Sequence, residues 1–231
     1  MRRRNWTIVC SLMIAVFIAD GCKSIFYKDV NEGIIEFDIT YPNNEAGELM
    51  AALLPDEMTL KFKDDKTVGT FSAGMGVFKA TMISDPKTKT VHQLFKVLKE
   101  KYVHEFDSLQ INTLFTELNE SKIKFVDETK EIAGYTCKKA IVTFKDNIKE
   151  EFSVYYTDDI DIKNSNWFTP FHEIDGVLLE YQVRKYNYEM RLVAKEVKSV
   201  EIDDAAFDIP NGYLDVGASE MERILEQYKN I

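Results

Sequence analysis

The chain has 231 residues, of which 45% are hydrophobic and 29% are charged, a composition typical of one folded domain and unlike that of a disordered segment. Its net charge of −10 argues against binding to nucleic acid, whose phosphates it would repel. The same charge argues against electrostatic adsorption of the protein to anionic lipid, so we expect any membrane contact to come from a covalent anchor or from apolar surface.

The N-terminal segment predicts export. Three arginines, Arg2–Arg4, precede an apolar stretch of 14 residues from Trp6 to Ala19. This length suits the hydrophobic region of a signal peptide and is shorter than the ~20 residues that a membrane-spanning helix needs. We therefore predict a signal peptide over residues 1–21. Removal of the three arginines and Asp20 would change the net charge from −10 to −12.

The end of this segment, Ala19-Asp20-Gly21-Cys22, resembles a bacterial lipobox, in which the cysteine thiol is acylated and becomes the first residue of the mature chain. Asp20 departs from the lipobox pattern. Ala19 and Gly21 also fit an ordinary secretory cleavage site, so secretion without a lipid stays open. We predict lipid attachment at Cys22, a tether over 22–32 and a folded domain over 33–231.

Apolar and polar residues alternate along most of the folded domain, and this pattern predicts antiparallel strands with one solvated face. Polar turns are predicted at 63–66, 85–87 and 145–147. We expect an α+β domain built on a single large antiparallel sheet of about ten strands. The clearest alternating segments are 35–41, 60–63, 122–125, 140–145, 152–156, 179–183 and 193–197.

Two helices are predicted to interrupt the sheet. The early helix, 45–54, carries apolar residues on one side and stops before Pro55. The C-terminal helix begins with a capping box formed by Ser219 and Glu222. Its amphipathic stripe indicates packing on the sheet, and its glutamates argue against a membrane-surface helix. The stripe consists of Met221, Ile224, Leu225 and Tyr228.

The residues that could carry chemistry form no recognised catalytic pattern. Cys137 follows a turn into a strand and has no base beside it, which indicates a core residue; a disulfide with Cys22 stays open if Cys22 is free. Ser72 lies between glycines whose spacing matches neither a nucleophile elbow nor a dinucleotide loop, so the segment predicts a bend in the sheet.

Metal ligands are equally sparse in pattern. The spacing of His92, His104 and His172 does not match a zinc site. The acidic run at 158–161 departs from a calcium loop in its later positions. We therefore predict a protein that is not an enzyme and that binds no metal or cofactor.

One predicted loop is unusual because it holds three large aromatic residues, Trp167, Phe168 and Phe171, where loops are normally polar. Such residues either plug an open end of the sheet or line a site for an apolar guest. Both alternatives stay open at this point.

Four segments in order carry a family resemblance: IAGYTCKKA at 132–140, VYYT at 154–157, GVLLEY at 176–181 and FDIPNGY at 207–213. The series resembles the GLPGLI and related uncharacterised envelope lipoproteins, which are similar in turn to the LolA/LolB lipoprotein-carrier superfamily. The resemblance implies a strongly curved half-barrel that holds acyl chains, with helices across its mouth.

A helix in that place would bring Met50 and Leu54 next to the three aromatics, and we expect these five residues to line the ligand site. By the same resemblance, Lys23 after Cys22 implies sorting to the outer membrane, where the domain faces the periplasm.

The sequence thus leaves two hypotheses of function. The first is an envelope lipoprotein that binds or carries a lipid, a lipidated protein or another hydrophobic ligand in a curved-sheet cavity. The second is a non-catalytic structural lipoprotein that docks to another envelope protein. A hollow apolar interior beside the aromatic loop favours the first, and a filled interior with an exposed apolar patch favours the second.

Overall fold

The computed structural model describes residues 30–42, 54–112, 121–144, 151–185 and 188–228. The predicted signal peptide, Cys22, the turn at 145–147 and nearly all of the predicted early helix, including Met50, lie outside these ranges. Val30, which falls in the predicted tether, is buried and forms a parallel bridge with Ile160. The first strand begins two residues later.

The described residues form one large sheet of twelve strands, which confirms the predicted α+β class with a curved antiparallel sheet. The two short helices are α1 (Ser108–Ile111) and α2 (Ala218–Tyr228). The strands are β1 (Glu32–Thr40), β2 (Glu57–Lys63), β3 (Lys66–Ala73), β4 (Phe78–Asp85), β5 (Thr90–Val97), β6 (Glu100–Phe106), β7 (Ser121–Ile132), β8 (Tyr135–Phe144), β9 (Glu151–Thr157), β10 (Val177–Lys185), β11 (Tyr188–Lys198) and β12 (Leu214–Asp215).

The strands follow the order β12-β6-β5-β4-β3-β2-β1-β11-β10-β9-β8-β7, and every pair except β12–β6 is antiparallel. Most neighbours are consecutive in the chain because short turns join them. In the predicted turn at 63–66, Asp64 and Asp65 have φ values of 51° and 73°, the left-handed pair that a two-residue hairpin requires. The pairing of β1 with β11 joins the two halves of the sheet.

The five neighbouring strands β1 to β5 form an apolar inner face of the sheet. Because directly paired residues point to the same side, the register aligns their side chains in rows across the strands. The first row is Phe37, Met58, Phe71, Ala80 and Phe95, and the second is Ile35, Leu60, Gly69, Met82 and Gln93.

Helix α2 packs on this inner face, as the amphipathic stripe predicted. Met221 and Ile224 are buried in one cluster with Phe95 and Val97 of β5. The predicted capping box is wrong, however. The helix begins at Ala218, and the amides of Glu220 and Met221 donate to the carbonyl oxygen of Gly217 at 3.0 and 2.9 Å. This start places the proposed cap residue inside the first turn.

No helix in the described part of the chain has the length and hydrophobicity to span a membrane.

Candidate ligand-binding cavity

The segment between β9 and β10, residues 158–176, crosses the sheet and is called the strap below. It is fastened to three places in the fold. The amide of Lys163 donates to Asp65 Oδ1 at 3.0 Å, and the indole Nε1 of Trp167 donates to Ser84 Oγ at 3.0 Å. On the far side, Ser121 Oγ donates to the Pro170 carbonyl at 3.0 Å. The strap therefore connects the β2–β3 turn, β4 and β7.

Hydrogen bonds within the strap fix its shape. The side-chain amide of Asn166, which is buried, donates to the carbonyl oxygens of Ile174 and Gly176 at 2.8 and 2.9 Å. Thr169 Oγ1 donates to the Asn166 carbonyl at 2.9 Å. Gly176 has φ +137° and lies so close to Thr157 that a Cβ would come within 2.9 Å of its carbonyl oxygen. A glycine is needed at this exit from the strap.

A cavity of about 360 Å³ lies between the inner face and the strap. This volume falls within the range of about 300–1,000 Å³ that is usual for small-molecule sites. Its walls are mainly apolar and come from both halves of the sheet, the strap and the chain before β2. The lining residues are Phe37, Pro55, Met58, Leu60, Thr67, Gly69, Phe71, Ala80, Thr81, Met82, Gln93, Ser165, Asn166, Phe168, Thr169, Pro170, Phe171, Val177, Leu178, Tyr181, Val183 and Met190.

The aromatic residues of the strap take different places. Phe171 is buried, lines the cavity and makes edge-to-face contacts with Phe152 and Tyr181 at centroid distances of 6.2 and 6.0 Å. Phe168 also lines the cavity. Trp167 is not among the lining residues; its indole is bonded to β4 and lies under the ammonium of Lys89, 4.7 Å from the ring centroid. Trp167 therefore fastens the strap, and the two phenylalanines form part of the wall.

The two predicted lining residues of the early helix are not placed in the wall. Leu54 is half-buried and is not among the lining residues, whereas the next residue, Pro55, is one of them. Met50 lies outside the described residues. Sequence reasoning missed most of the wall, because its residues are ordinary inward-facing positions of strands that meet only in the folded sheet.

None of the described lining residues carries an ionisable acid, base or thiol other than the phenol of Tyr181, so the cavity suits a neutral guest. Burial raises the pKa of Tyr181, and among the described residues its hydroxyl donates only to Met58 Sδ, a weak acceptor, at 3.9 Å. The side-chain amide of Gln93 makes no hydrogen bond to any described residue. Gln93 and Tyr181 therefore retain hydrogen-bonding capacity in a mainly apolar wall whose other polar residues are Thr67, Thr81, Ser165, Asn166 and Thr169.

The other candidate residues lie apart from the cavity. His92 Nε2 is 3.2 Å from Glu105 Oε2, His104 Nδ1 donates to the Val216 carbonyl at 2.9 Å, and His172 is exposed. Among the described residues, no three potential metal ligands come together. The predicted bend beyond Ser72 is a 3-10 turn, Gly74–Gly76, that joins β3 to β4.

Cys137 lies in β8 and is fully buried, which confirms the prediction of a core residue. Burial, with a smaller contribution from the carboxylate of Glu131, raises the pKa of the Cys137 thiol to about 12. The thiol is therefore protonated at neutral pH and is a poor nucleophile.

Residues 74–215, more than half of the chain, match the family model described as N-glycanase peptide, N-terminal domain. The chain belongs to this family. The family match spans strands β4 to β12 and the strap, and so includes all of the cavity wall except the lining residues of β1 to β3 and Pro55. No functionally curated protein matches the sequence.

Two solved structures of PNGF-II, one in space group C2 and one in P21, contain a region with the fold of this chain. Each has a TM-score of 0.53 and 16% sequence identity, and the match covers 85% of this chain. The chain spans only about a third of PNGF-II, 33% and 34% of the two structures. The likeness therefore concerns the fold of one part of that longer protein.

A third structure, LprF from Mycobacterium bovis, aligns over 81% of this chain and 95% of its own, with 10% identity and a TM-score of 0.31. That score is too low to carry an argument. None of these comparisons confirms the resemblance to the GLPGLI or LolA/LolB proteins, which stays a prediction.

Proposed function

We propose that this domain is a non-catalytic binding module of the cell envelope that holds the acyl chain of a lipid between the inner face of the sheet and the strap. One observation carries the proposal: a cavity of about 360 Å³ whose wall is almost entirely apolar. Its volume equals that of about a dozen water molecules, and a methylene group is of similar size, so it suits an acyl chain of about that many carbons.

Gln93 and Tyr181, two of the polar residues of the wall, suit a guest that has a polar end. Gln93 supplies two amide donors and an acceptor, and Tyr181 supplies a hydroxyl whose present acceptor is a thioether sulfur. A carboxyl or ester group next to them would accept hydrogen bonds from the Gln93 amide and the Tyr181 hydroxyl. We therefore infer a ligand with one acyl chain and one neutral hydrogen-bonding end, which is either an ester or a carboxyl group that burial keeps protonated.

The same wall supports the proposal that the domain is not catalytic. Hydrolysis of a bound lipid would need a nucleophile with a base within reach, and no histidine, carboxylate or cysteine lies among the described lining residues. The serine and threonine hydroxyls of the wall have no such base beside them. The name of the matched family refers to an N-glycanase, and we do not extend that activity to this domain.

Native mass spectrometry of the full chain, purified in a mild detergent, tests the proposal. We expect an additional mass that corresponds to a lipid or fatty acid, and saturable binding of a dansyl-labelled fatty acid that unlabelled fatty acid displaces. A matched variant, Gln93→Leu, keeps the size of the side chain and removes its hydrogen bonds. It should lower fatty-acid affinity several-fold and leave an uncharged hydrocarbon probe unaffected. Absence of saturable binding contradicts the proposal.

We also propose that the domain is exported and held at the outer membrane, on the periplasmic side, by a lipid on Cys22. The support is the sequence pattern before that residue, which lies outside the described structure. The mass of the N-terminal peptide of the mature protein decides the matter. A diacylglyceryl modification is expected, and an unmodified thiol at Cys22 would overturn this part of the proposal.

A docking role is the second candidate, and the edge strand β7 favours it. Among the described strands β7 pairs only with β8, so no described strand covers the backbone groups on its other side. Phe125 on this strand is 51% exposed. A photo-crosslinking residue at position 125 should give one dominant adduct in intact cell envelopes if the edge docks to a partner. A variant labelled at exposed Lys87, in the β4–β5 turn, serves as the control.

A further inference from the structure

Two turns at the same end of the strands, after β3 and after β5, lie side by side and form an exposed tip, defined here as residues 76–79 and 96–101. The β3–β4 turn ends at Val77 and the β5–β6 turn begins at Leu98, and the Leu98 amide donates to the Val77 carbonyl at 3.0 Å. Both side chains are exposed, Val77 at 37% and Leu98 at 68%. The fold therefore presents two adjacent aliphatic side chains to solvent at its rim.

Leu98 has a strained backbone conformation in this tip. Leu98 has φ +53°, the left-handed region that glycine and asparagine adopt more readily than leucine. An asparagine at this hairpin position would relieve that strain and remove an exposed apolar surface. Folding alone therefore does not explain a leucine here.

Just inside the tip, three lysines stand side by side across neighbouring strands. The register pairs Lys79 with Lys96 and Lys96 with Lys101, so they form one row on the outer face, and Lys99 lies in the turn beside them. Like charges directly opposite one another destabilise a sheet. Within the described part of the chain, no ion pair involves Lys79, Lys96 or Lys99, and Glu100 is the one acidic residue of the tip. The tip is thus a local positive patch on a strongly acidic protein.

We propose that this tip is a membrane-docking site that binds an anionic bilayer surface, with its lysines at the phosphate groups and Val77 and Leu98 in the headgroup region. The pairing of positive charge with exposed aliphatic side chains fits a lipid surface better than an acidic protein or a nucleic acid, which offer no apolar layer beneath their charge. The net charge of the chain disfavours such contact only when it is averaged over the whole protein.

The cavity wall extends to the same end of the strands as the tip. Pro55, before β2, and Met190, near the start of β11, line the cavity at this same end of the antiparallel strands. Docking through the tip would therefore place that end of the cavity near the bilayer. This consequence rests on the proposed function, whereas the docking itself does not.

Hydrogen–deuterium exchange of the full chain with vesicles tests the site directly. Vesicles of phosphatidylcholine alone are compared with vesicles that also contain phosphatidylglycerol. The anionic vesicles are expected to slow exchange several-fold in peptides that cover the tip. The β2–β3 turn at the opposite end of the strands should not change, and it serves as an internal control against binding through other parts of the chain.

Two variants separate the charge from the apolar contact. Each lysine at an anionic surface contributes about fivefold to partitioning, so Lys79→Gln combined with Lys96→Gln should weaken tip protection about 25-fold on a vesicle titration. Leu98→Asn should weaken it several-fold while raising thermal stability, because asparagine suits the turn. Unchanged tip exchange, equal protection by neutral vesicles, or protection that both variants retain would each overturn the proposal.

Fatty-acid binding keeps the two proposals apart. Leu98→Asn leaves the cavity wall intact, so it should bind the dansyl-labelled fatty acid as the parent chain does. Loss of vesicle protection with normal fatty-acid binding in this variant supports docking through the tip. If the parent chain binds fatty acid but vesicles do not slow amide exchange at the tip, the docking proposal is contradicted and the proposed function is not.

Discussion

Gly69→Val provides the sharpest test of the cavity, because Gly69 lies in the middle of the second row on the inner face. A Cβ at this position would have Leu60 Cδ1 as its nearest neighbour, at 3.7 Å, which is an ordinary contact. The backbone at Gly69 is not in the left-handed region, so valine can adopt it. The substitution therefore projects a side chain into the cavity without displacing the sheet.

The expected effects follow from the volume that the side chain occupies. Three carbon atoms, each of about water size, fill roughly a quarter of the 360 Å³ cavity. At about 0.8 kcal/mol per buried methylene group they would add about 2 kcal/mol to the free energy of unfolding, and replacement of a strand glycine adds about 0.5–1 kcal/mol. Because the cavity is partly open, we expect a net gain of about 1–2 kcal/mol.

Ligand binding should change in the opposite direction. A guest that loses room for about three methylene groups loses about 2.4 kcal/mol, which corresponds to roughly a 50-fold rise in the Kd for a dansyl-labelled fatty acid. Urea unfolding gives the change in stability, and fluorescence titration gives the change in Kd. Ser72→Val on the exposed outer face of the same strand is the control, and it should leave the Kd unchanged.

Two results would refute this reasoning. A Gly69→Val chain that is more stable but binds fatty acid with the parent Kd would show that the ligand sits elsewhere. A chain that is destabilised by more than about 1 kcal/mol would show that the space is already filled, since overpacking of a closed core has that cost.

Three further predictions concern the groups that hold the fold around the cavity. The Cys137 thiol, with its pKa raised to about 12, should resist iodoacetamide at pH ~8 in the native chain and react in urea, as peptide mass spectrometry can follow; native labelling would contradict its burial. Burial acts to raise the pKa of the Glu180 carboxyl, but hydrogen bonds from Lys130 and Arg191 outweigh burial and lower that pKa. The charged carboxylate therefore stabilises the fold above the pKa that Glu180 has in the unfolded chain, and this stabilisation is lost as the pH falls through the lower pKa of the folded chain. Glu180→Gln should therefore lower the free energy of unfolding by about 1–2 kcal/mol at neutral pH, by less in acid, and a loss in urea titrations that does not depend on pH would refute this assignment. Trp167→Phe removes the indole hydrogen bond to β4 and should speed amide exchange in the strap with a loss of about 1 kcal/mol; unchanged exchange would show that the bond does not fasten it.

The sequence predicted the strands well where one face is buried and the other is wet. In β1 the inward residues Ile35, Phe37 and Ile39 are all buried, as their alternation indicated. The estimate of about ten strands fell short of twelve partly because β12, with two residues, is too short to show a period. The capping box failed because Ser219 and Glu222 fit a helix that starts at residue 220, whereas the backbone starts the helix two residues earlier, at Ala218.

The cavity could be predicted only through the aromatic residues of the strap. Phe168 and Phe171 stood out because large aromatics are unusual in a loop, and both line the space. The lining residues on the strands gave no such signal. Phe37 and Met190, for example, come to the same cavity only through the long-range pairing of β1 with β11. Register on either side also depends on bulges, between Glu36 and Phe37 and between Leu178 and Glu180, which alternation alone does not reveal.

Charge shows the same dependence on pairing. A net charge of −10 predicts that the protein as a whole repels anions. It does not reveal the row of Lys79, Lys96 and Lys101, which are separated in sequence and adjacent only through strand register. Because electrostatic attraction at a surface falls off within about 10 Å, a contact at the tip is governed by the charges near it rather than by the sum. An acidic protein can therefore carry a lipid-binding edge, and the orientation of the cavity toward a bilayer would follow from where the register places those lysines.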